Sequence, residues 1–75
     1  MDLRYRKVKV NCVDDIEKIA EKLKAHGYKW AFPLPQFGED LTKVEWMYIT
    51  FYGFFHHKMR FHRRRYYTEI DINEL

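Results

Sequence analysis

The hydrophobic pattern of this chain changes period along its length, and each period predicts a different element. In the first ten residues, Val8 and Val10 alternate with Lys7 and Lys9, which predicts a half-buried strand with a basic outer face. Residues 13–26 instead place apolar side chains at helical spacing, which predicts an amphipathic helix. The apolar positions of that helix are Val13, Ile16, Ile19, Ala20 and Leu23.

Local signals predict where this helix begins and ends. Asn11 or Asp14 can accept hydrogen bonds from the backbone N–H groups that lack partners in the first turn. Gly27 supplies the left-handed residue that commonly follows a helix. Cys12 is the sole cysteine, so it cannot form an internal disulfide. Because no histidine is near it in sequence, we expect Cys12 to be a buried structural residue rather than a nucleophile.

The second half of the chain predicts strands separated by loops and turns. Residues 28–32 favour a short strand, whereas residues 33–40 favour a loop because they contain two prolines and a glycine. Residues 44–52 are rich in aromatic and β-branched side chains and predict the strongest strand. The elements expected after it are a turn at 53–57, a returning strand over 58–65 and a last strand at 66–72.

This order, β-α-β-β-β, predicts a single α+β domain spanning residues 1–75. One amphipathic helix is expected to pack on a small, mostly antiparallel sheet of three to five strands. No run of 18 or more apolar residues predicts a membrane span. The first ten residues lack the apolar stretch of a signal peptide, so we expect a cytoplasmic protein that does not engage the membrane.

Composition and charge both point to the region after the loop. The chain has 14 aromatic residues (six Phe, six Tyr and two Trp) among 75, too many for one small core to bury. Nine of them lie between Trp46 and Tyr67. Residues 46–65 also carry five Lys and Arg and no Asp or Glu, although the net charge of the whole chain is only +3. Surface aromatics and positive charge therefore coincide in this region.

Side-chain alternation sorts this region into two faces, if residues 44–52 and 58–65 are both regular strands. Met47, Ile49 and Phe51, with Met59 and Phe61, would face the helix and form a core layer. The opposite face would then have no second helix to cover it, and its residues are the candidate binding site. That candidate site consists of Trp46, Tyr48, Tyr52, Lys58, Arg60, His62 and Arg64, extended by Arg63, Arg65, Lys7 and Lys9.

An open sheet face that interleaves aromatic and basic side chains is suited to single-stranded nucleic acid. Bases stack on aromatic rings while cations neutralise phosphates. The sequence therefore predicts a binding module for RNA or single-stranded DNA, or for another anionic partner. The alternative is that the same face binds an acidic host or defence protein, or a second copy of the chain, because an uncovered apolar face also suits an interface. Phe37, in the predicted loop, is a further candidate contact.

Catalytic and metal-binding patterns are sparse. His56, His57 and His62 are the one group that resembles metal ligands, but adjacent histidines on a strand point to opposite faces and no Cys or carboxylate completes the set. A nuclease that uses His62 with Arg60 or Tyr66 is a weaker alternative. No glycine-rich phosphate loop is present. We therefore expect a protein that is not an enzyme and that uses no cofactor and no metal.

The segment DIEKIAEKLKAHGYKW runs from an acidic helix into Gly27-Tyr28-Lys29-Trp30 before the aromatic strands. In this layout the chain resembles small accessory proteins of bacteriophages that act in host takeover or against host defence. The resemblance implies an inhibitor that acts by stoichiometric binding in the host cytoplasm. The chain also resembles toxin ribonucleases of the double-stranded-RNA-binding type. Those carry a Gly-Ser-His segment after the helix, where this chain has Ala31-Phe32-Pro33-Leu34, so ribonuclease activity is not implied.

Overall fold

The structure is a computed structural model that describes residues 2–31 and 40–75. One α-helix, α1, spans Val13–Ala25. The five strands are β1 (Arg6–Lys9), β2 (Lys29–Trp30), β3 (Trp46–Ile49), β4 (Phe54–His56) and β5 (Thr68–Glu69), and three short 3₁₀ helices span Leu41–Lys43, Phe61–Tyr66 and Ile72–Glu74. Within the described ranges, no helix has both the length and the apolar character needed to cross a membrane. The predicted loop at 33–40, with Phe37, lies outside the described residues except for Asp40.

All five strands belong to one sheet, in the spatial order β2-β4-β3-β1-β5. β3 is antiparallel to both of its neighbours, β1 and β4. At the two edges, β5 is parallel to β1 and β2 is parallel to β4. The predicted α+β class and the element order β-α-β-β-β are thus confirmed. The sheet is mixed, with two parallel edge pairings that the pattern did not predict.

α1 packs its apolar stripe on one face of this sheet. Ile16, Ile19, Ala20 and Leu23 are buried on the helix, whereas Val13 remains 41% exposed. Burying an isoleucine or leucine side chain contributes roughly 1.5–3 kcal/mol to the free energy of unfolding. The buried side chains of α1 therefore account for much of the stability of so small a domain. The same core cluster also contains Leu3, Val8, Val10, Met47, Ile49, Phe55 and Ile70.

The two ends of α1 differ in how well the sequence predicted them. The prediction that Cys12 is buried is wrong, because it is exposed. Cys12 is the N-terminal capping residue, so the caps predicted at Asn11 or Asp14 are also wrong, and its side chain makes no capping hydrogen bond. Instead, the Asp15 carboxylate accepts a 3.0 Å hydrogen bond from the backbone N–H of Asn11. At the other end Gly27 has φ +93°, as predicted.

The chain leaves α1 through a Schellman motif. The N–H of Tyr28 donates to the carbonyl of Leu23 at 3.0 Å, and the N–H of Gly27 donates to Lys24 at 2.9 Å. The Tyr28 hydroxyl then accepts a 2.8 Å hydrogen bond from the backbone N–H of Leu3. This places the start of the chain against the end of the helix.

The hairpin turn between β3 and β4 comes earlier than the sequence pattern suggested. The N–H of Gly53 donates to the carbonyl of Thr50 at 3.1 Å, and Gly53 has φ +82°. Thr50 pairs with Phe54 beyond the turn. A three-residue loop that ends on a left-handed glycine is a common hairpin geometry. The predicted turn at 53–57 is therefore wrong, and the returning strand is Phe54–His56.

Residues 58–65 consequently do not form a strand. β4 and β5 are separated by β3 and β1, so the connecting chain must cross two strands, and it does so on the face opposite α1. Among the core positions that alternation predicted, Met47 and Ile49 are buried, whereas Phe61 is 85% exposed and Phe51 is 52% exposed. The crossing segment ends in the 3₁₀ helix Phe61–Tyr66, which we call the basic 3₁₀ helix because it contains three consecutive arginines.

Candidate nucleic-acid interface

The centre of the sheet face opposite α1 is covered by the crossing segment. Tyr48, which points away from α1, is only 2% exposed, and its ring meets the ring of Tyr67 edge-on at 5.2 Å between centroids. Burial raises the pKa of Tyr48, while the charge of nearby Arg64 acts in the opposite direction. The prediction that Tyr48 lies on an open face is therefore wrong, because the cover comes from a 3₁₀ helix that the pattern did not reveal.

Three predicted site residues do come together beside this cover. The register of β1 and β3 pairs Lys9 with Trp46. The Nζ atoms of Lys7 and Lys9 lie 4.4 and 5.0 Å from the centroid of the Trp46 ring, within cation–π distance. The indole is half-buried, and both ammonium groups are attracted to its electron-rich face.

A cleft of about 230 Å³ lies next to Trp46 and contains charges of both signs. We call it the mixed-charge cleft. Lys58 and Arg64 line it, but so do Asp40 and Glu45, which would repel a phosphate. Its other lining residues are Lys43, Val44, Trp46, Tyr48 and His57.

The basic 3₁₀ helix places cations close to aromatic rings. The Arg64 guanidinium lies 5.8 Å from the Phe61 ring and donates to the carbonyl of Met59 at 3.1 Å. Arg65 lies 5.2 Å from the Tyr66 ring and donates to its hydroxyl at 3.3 Å. All four of these side chains are exposed, so they form an accessible surface on which aromatic planes and positive charge alternate.

Two further arginines of this surface have no ion-pair partner among the residues that the structure describes. Across residues 2–31 and 40–75, the ion pairs are Asp2–Arg4 and Glu21–Lys24. The guanidinium groups of Arg60 and Arg63 are exposed and make neither an ion pair nor a side-chain hydrogen bond with any described residue. Their charge therefore remains available to an anionic partner.

A second and larger cleft, of about 590 Å³, lies beside the basic 3₁₀ helix near the start of β1. The described residues that line it are Tyr5, His62, Arg63, Tyr66 and Tyr67, none of which carries a carboxylate. We call it the tyrosine cleft. The rings of Tyr5 and Tyr67 are 5.8 Å apart at a tilt of 55°. Burial raises the pKa of Tyr67, and Arg63 is close enough for its charge to oppose that shift.

Tyr52, another predicted site residue, lies apart from both clefts. It occupies the turn between β3 and β4, is 82% exposed and contacts the ring of Phe51 at 5.5 Å. Phe51 in turn lies under the Arg4 guanidinium at 5.4 Å. The structure thus divides the single face that alternation predicted into three parts: the basic 3₁₀ helix, the turn, and a Lys–Trp group that consists of Lys7, Lys9 and Trp46.

The tyrosine cleft contains three residues that were not in the predicted binding site, although Tyr66 was considered as a nuclease partner of His62. Tyr66 and Tyr67 directly follow Arg65, so aromatics flanking an arginine run were a usable signal. Tyr5 had no such signal, because its position depends on a positive φ that sequence patterns rarely reveal in tyrosine.

No metal site is formed by the part of the chain that the structure describes, where no three His, Cys, Asp or Glu side chains are grouped to hold an ion. The rings of His56 and His57 instead stack on each other at 4.9 Å. Comparison of the chain with protein-family models, with curated proteins and with solved structures finds no match.

Proposed function

We propose that this protein is a non-enzymatic binding module for RNA or single-stranded DNA, and that it binds through the basic 3₁₀ helix and the tyrosine cleft. The observation that carries the proposal is that Arg60 and Arg63 are exposed and have no ion-pair partner among the described residues, on a segment that also exposes Phe61 and Tyr66. Phosphates provide the negative charge that this surface lacks, and bases provide planar faces for its rings.

The role implied by the resemblance to phage accessory proteins is part of this proposal. In that role the protein would act in the cytoplasm of a host cell and block a nucleic-acid target by occupying it. Stoichiometric occupation requires no catalytic group, which agrees with the expectation that the protein is not an enzyme.

Charge reversal provides the test. Arg60→Glu combined with Arg63→Glu removes no side-chain hydrogen bond or ion pair within the described chain. We expect this double variant to weaken binding of a fluorescein-labelled oligothymidylate by roughly tenfold or more in low salt, measured by fluorescence anisotropy. Binding by the unaltered protein should also weaken steeply as salt is added.

The matched control is Lys18→Glu combined with Lys22→Glu, two exposed positions on α1. This control changes the net charge by the same amount on the opposite side of the sheet. If both double variants weaken binding equally, the effect is one of net charge and the proposed surface is wrong. If the unaltered protein does not bind the oligonucleotide in low salt, the proposed function is wrong.

An acidic protein partner is the second candidate, and the exposure of large apolar rings favours it. Phe61 is 85% exposed and Tyr52 is 82% exposed, and aromatic side chains with arginines are enriched at protein interfaces. A second copy of the chain is a related candidate. Light scattering after size-exclusion chromatography tests self-association. A dimer that dissociates on Phe61→Ala would favour a second copy of the chain as the partner, whereas a monomer at high concentration would exclude a second copy.

A further inference from the structure

The tyrosine cleft suggests how the proposed surface would distinguish single strands from duplexes, and this inference depends on the proposed function. The first observation is the backbone of Tyr5. It has φ +63°, the left-handed region that side chains other than glycine, asparagine and aspartate rarely adopt. The conformation costs about 1–2 kcal/mol. Strain of this kind persists where the surrounding structure holds it, and it concentrates at binding sites.

Tyr5 is held in place by hydrogen bonds on both sides of its residue. Its N–H donates to the carbonyl of Ile49 at 2.8 Å, and its carbonyl accepts from the N–H of Thr68 at 2.9 Å. The backbone is thus tied to segments on both sides of β1. The ring is fixed beside Tyr67 and Phe51, at 5.8 and 6.1 Å between centroids, yet 48% of the residue stays exposed.

The chemistry of the cleft suits one planar, anionic ligand unit. Tyr5, Tyr66 and Tyr67 supply three rings around an opening of about 590 Å³, a volume within the usual range for small-ligand sites. Arg63 supplies an exposed cation at the rim, and no lining residue is acidic. A nucleotide combines a planar base with a phosphate at a short distance. In a duplex the faces of the bases are covered by their stacked neighbours, so only an unpaired base can enter.

We infer that the tyrosine cleft is a stacking site for an unpaired base, with the adjoining phosphate at Arg63. The Lys–Trp group and the remaining arginines then bind the sugar–phosphate backbone of the nucleic acid, whether or not its bases are paired. The cleft is therefore the element that gives the protein a preference for single strands over duplexes of the same length.

Tyr5→Gly separates binding from folding, because glycine adopts the left-handed conformation without strain. The variant should remain folded by circular dichroism and lose the single-strand preference. We expect its affinity for labelled oligothymidylate to fall about tenfold, and its affinity for the oligo(dA)·oligo(dT) duplex to stay within about twofold. Tyr5→Phe retains the ring and should restore the preference. Tyr66→Ala, which leaves the backbone of Tyr5 untouched, should lower single-strand affinity in the same direction.

The outcomes distinguish this inference from the proposed function. If the unaltered protein binds neither nucleic acid in low salt, the proposed function fails and the inference fails with it. If the unaltered protein binds single strands and duplexes equally, the proposed function stands and the stacking site is wrong. The stacking site is also wrong if Tyr5→Gly and Tyr66→Ala both bind the single strand as tightly as the unaltered protein does.

Discussion

The two faces of the sheet are covered by segments of opposite character. On one face α1 buries aliphatic side chains in a regular stripe and ends in a left-handed glycine. On the other face the crossing segment buries Tyr48 beneath Tyr67 but leaves its arginines and Phe61 exposed. Aliphatic cover stabilises the fold and offers little chemistry. Aromatic and basic cover contributes less to stability but presents a surface on which an anionic partner can bind.

A pair of phenylalanines gives the largest expected difference between the faces. Phe55 is fully buried under α1, whereas Phe61 is 85% exposed on the basic 3₁₀ helix. We expect Phe55→Ala to lower the free energy of unfolding by about 3–5 kcal/mol, enough to unfold much of a domain this small. We expect Phe61→Ala to change it by less than about 0.5 kcal/mol. Urea titration followed by circular dichroism measures both, and equal effects would contradict the division between the faces.

Two of the three residues with left-handed backbone, Gly27 and Tyr5, provide a smaller contrast. A Cβ added at Gly27 would meet no atom within 4 Å, so only the backbone opposes Gly27→Ala. We expect that substitution to cost about 1–2 kcal/mol. Tyr5→Gly relieves backbone strain of the same kind but also removes the contacts of the Tyr5 ring. Because these two effects oppose each other, we expect the free energy of unfolding to change by less than it does in Gly27→Ala. Thermal unfolding compares them, and a greater loss for Tyr5→Gly than for Gly27→Ala would show that the Tyr5 ring is mainly structural.

Alkaline pH should destabilise the face that contains Tyr48 and Tyr67. Burial raises the pKa of Tyr48 and of Tyr67 above the ordinary value of 10.0. The unfolded chain therefore loses these protons at a lower pH than the folded chain does. The contribution of these two hydroxyls to the free energy of unfolding should be fully present below pH 10 and should fall as the pH rises above it. The double variant Tyr48→Phe with Tyr67→Phe should show a weaker decline in urea titrations, and an unchanged decline would contradict the burial of these hydroxyls.

The α1 face was largely predictable because its signals are local. The spacing of Ile16, Ile19 and Leu23 fixes one side of a helix, and Gly27 marks its end. These features need no knowledge of distant segments. The cap at Cys12 was missed because its side chain makes no capping hydrogen bond, and the polar side chain used at this end, Asp15, bonds the backbone N–H of Asn11 four residues earlier.

The other face was predicted wrongly because alternation assumes an uninterrupted strand. Because the turn lies at Thr50–Gly53 and not at 53–57, β4 ends at His56 and the residues after it do not belong to the hairpin. Gly53, three residues after Thr50, was a usable signal for this shorter loop. The crossing of residues 57–67 depends on where β5 pairs, and β5 has only two residues, so its parallel pairing with β1 could not be anticipated.

The division between the two faces is tested most directly by amide chemical shifts recorded during titration with oligothymidylate in low salt. We expect the shifts that change to lie at Tyr5, at residues 60–67 and at the Lys–Trp group, and those of α1 from Ile16 to Leu23 to stay unchanged. Shift changes centred on α1, or an oligonucleotide that changes no amide shift at all, would contradict this prediction.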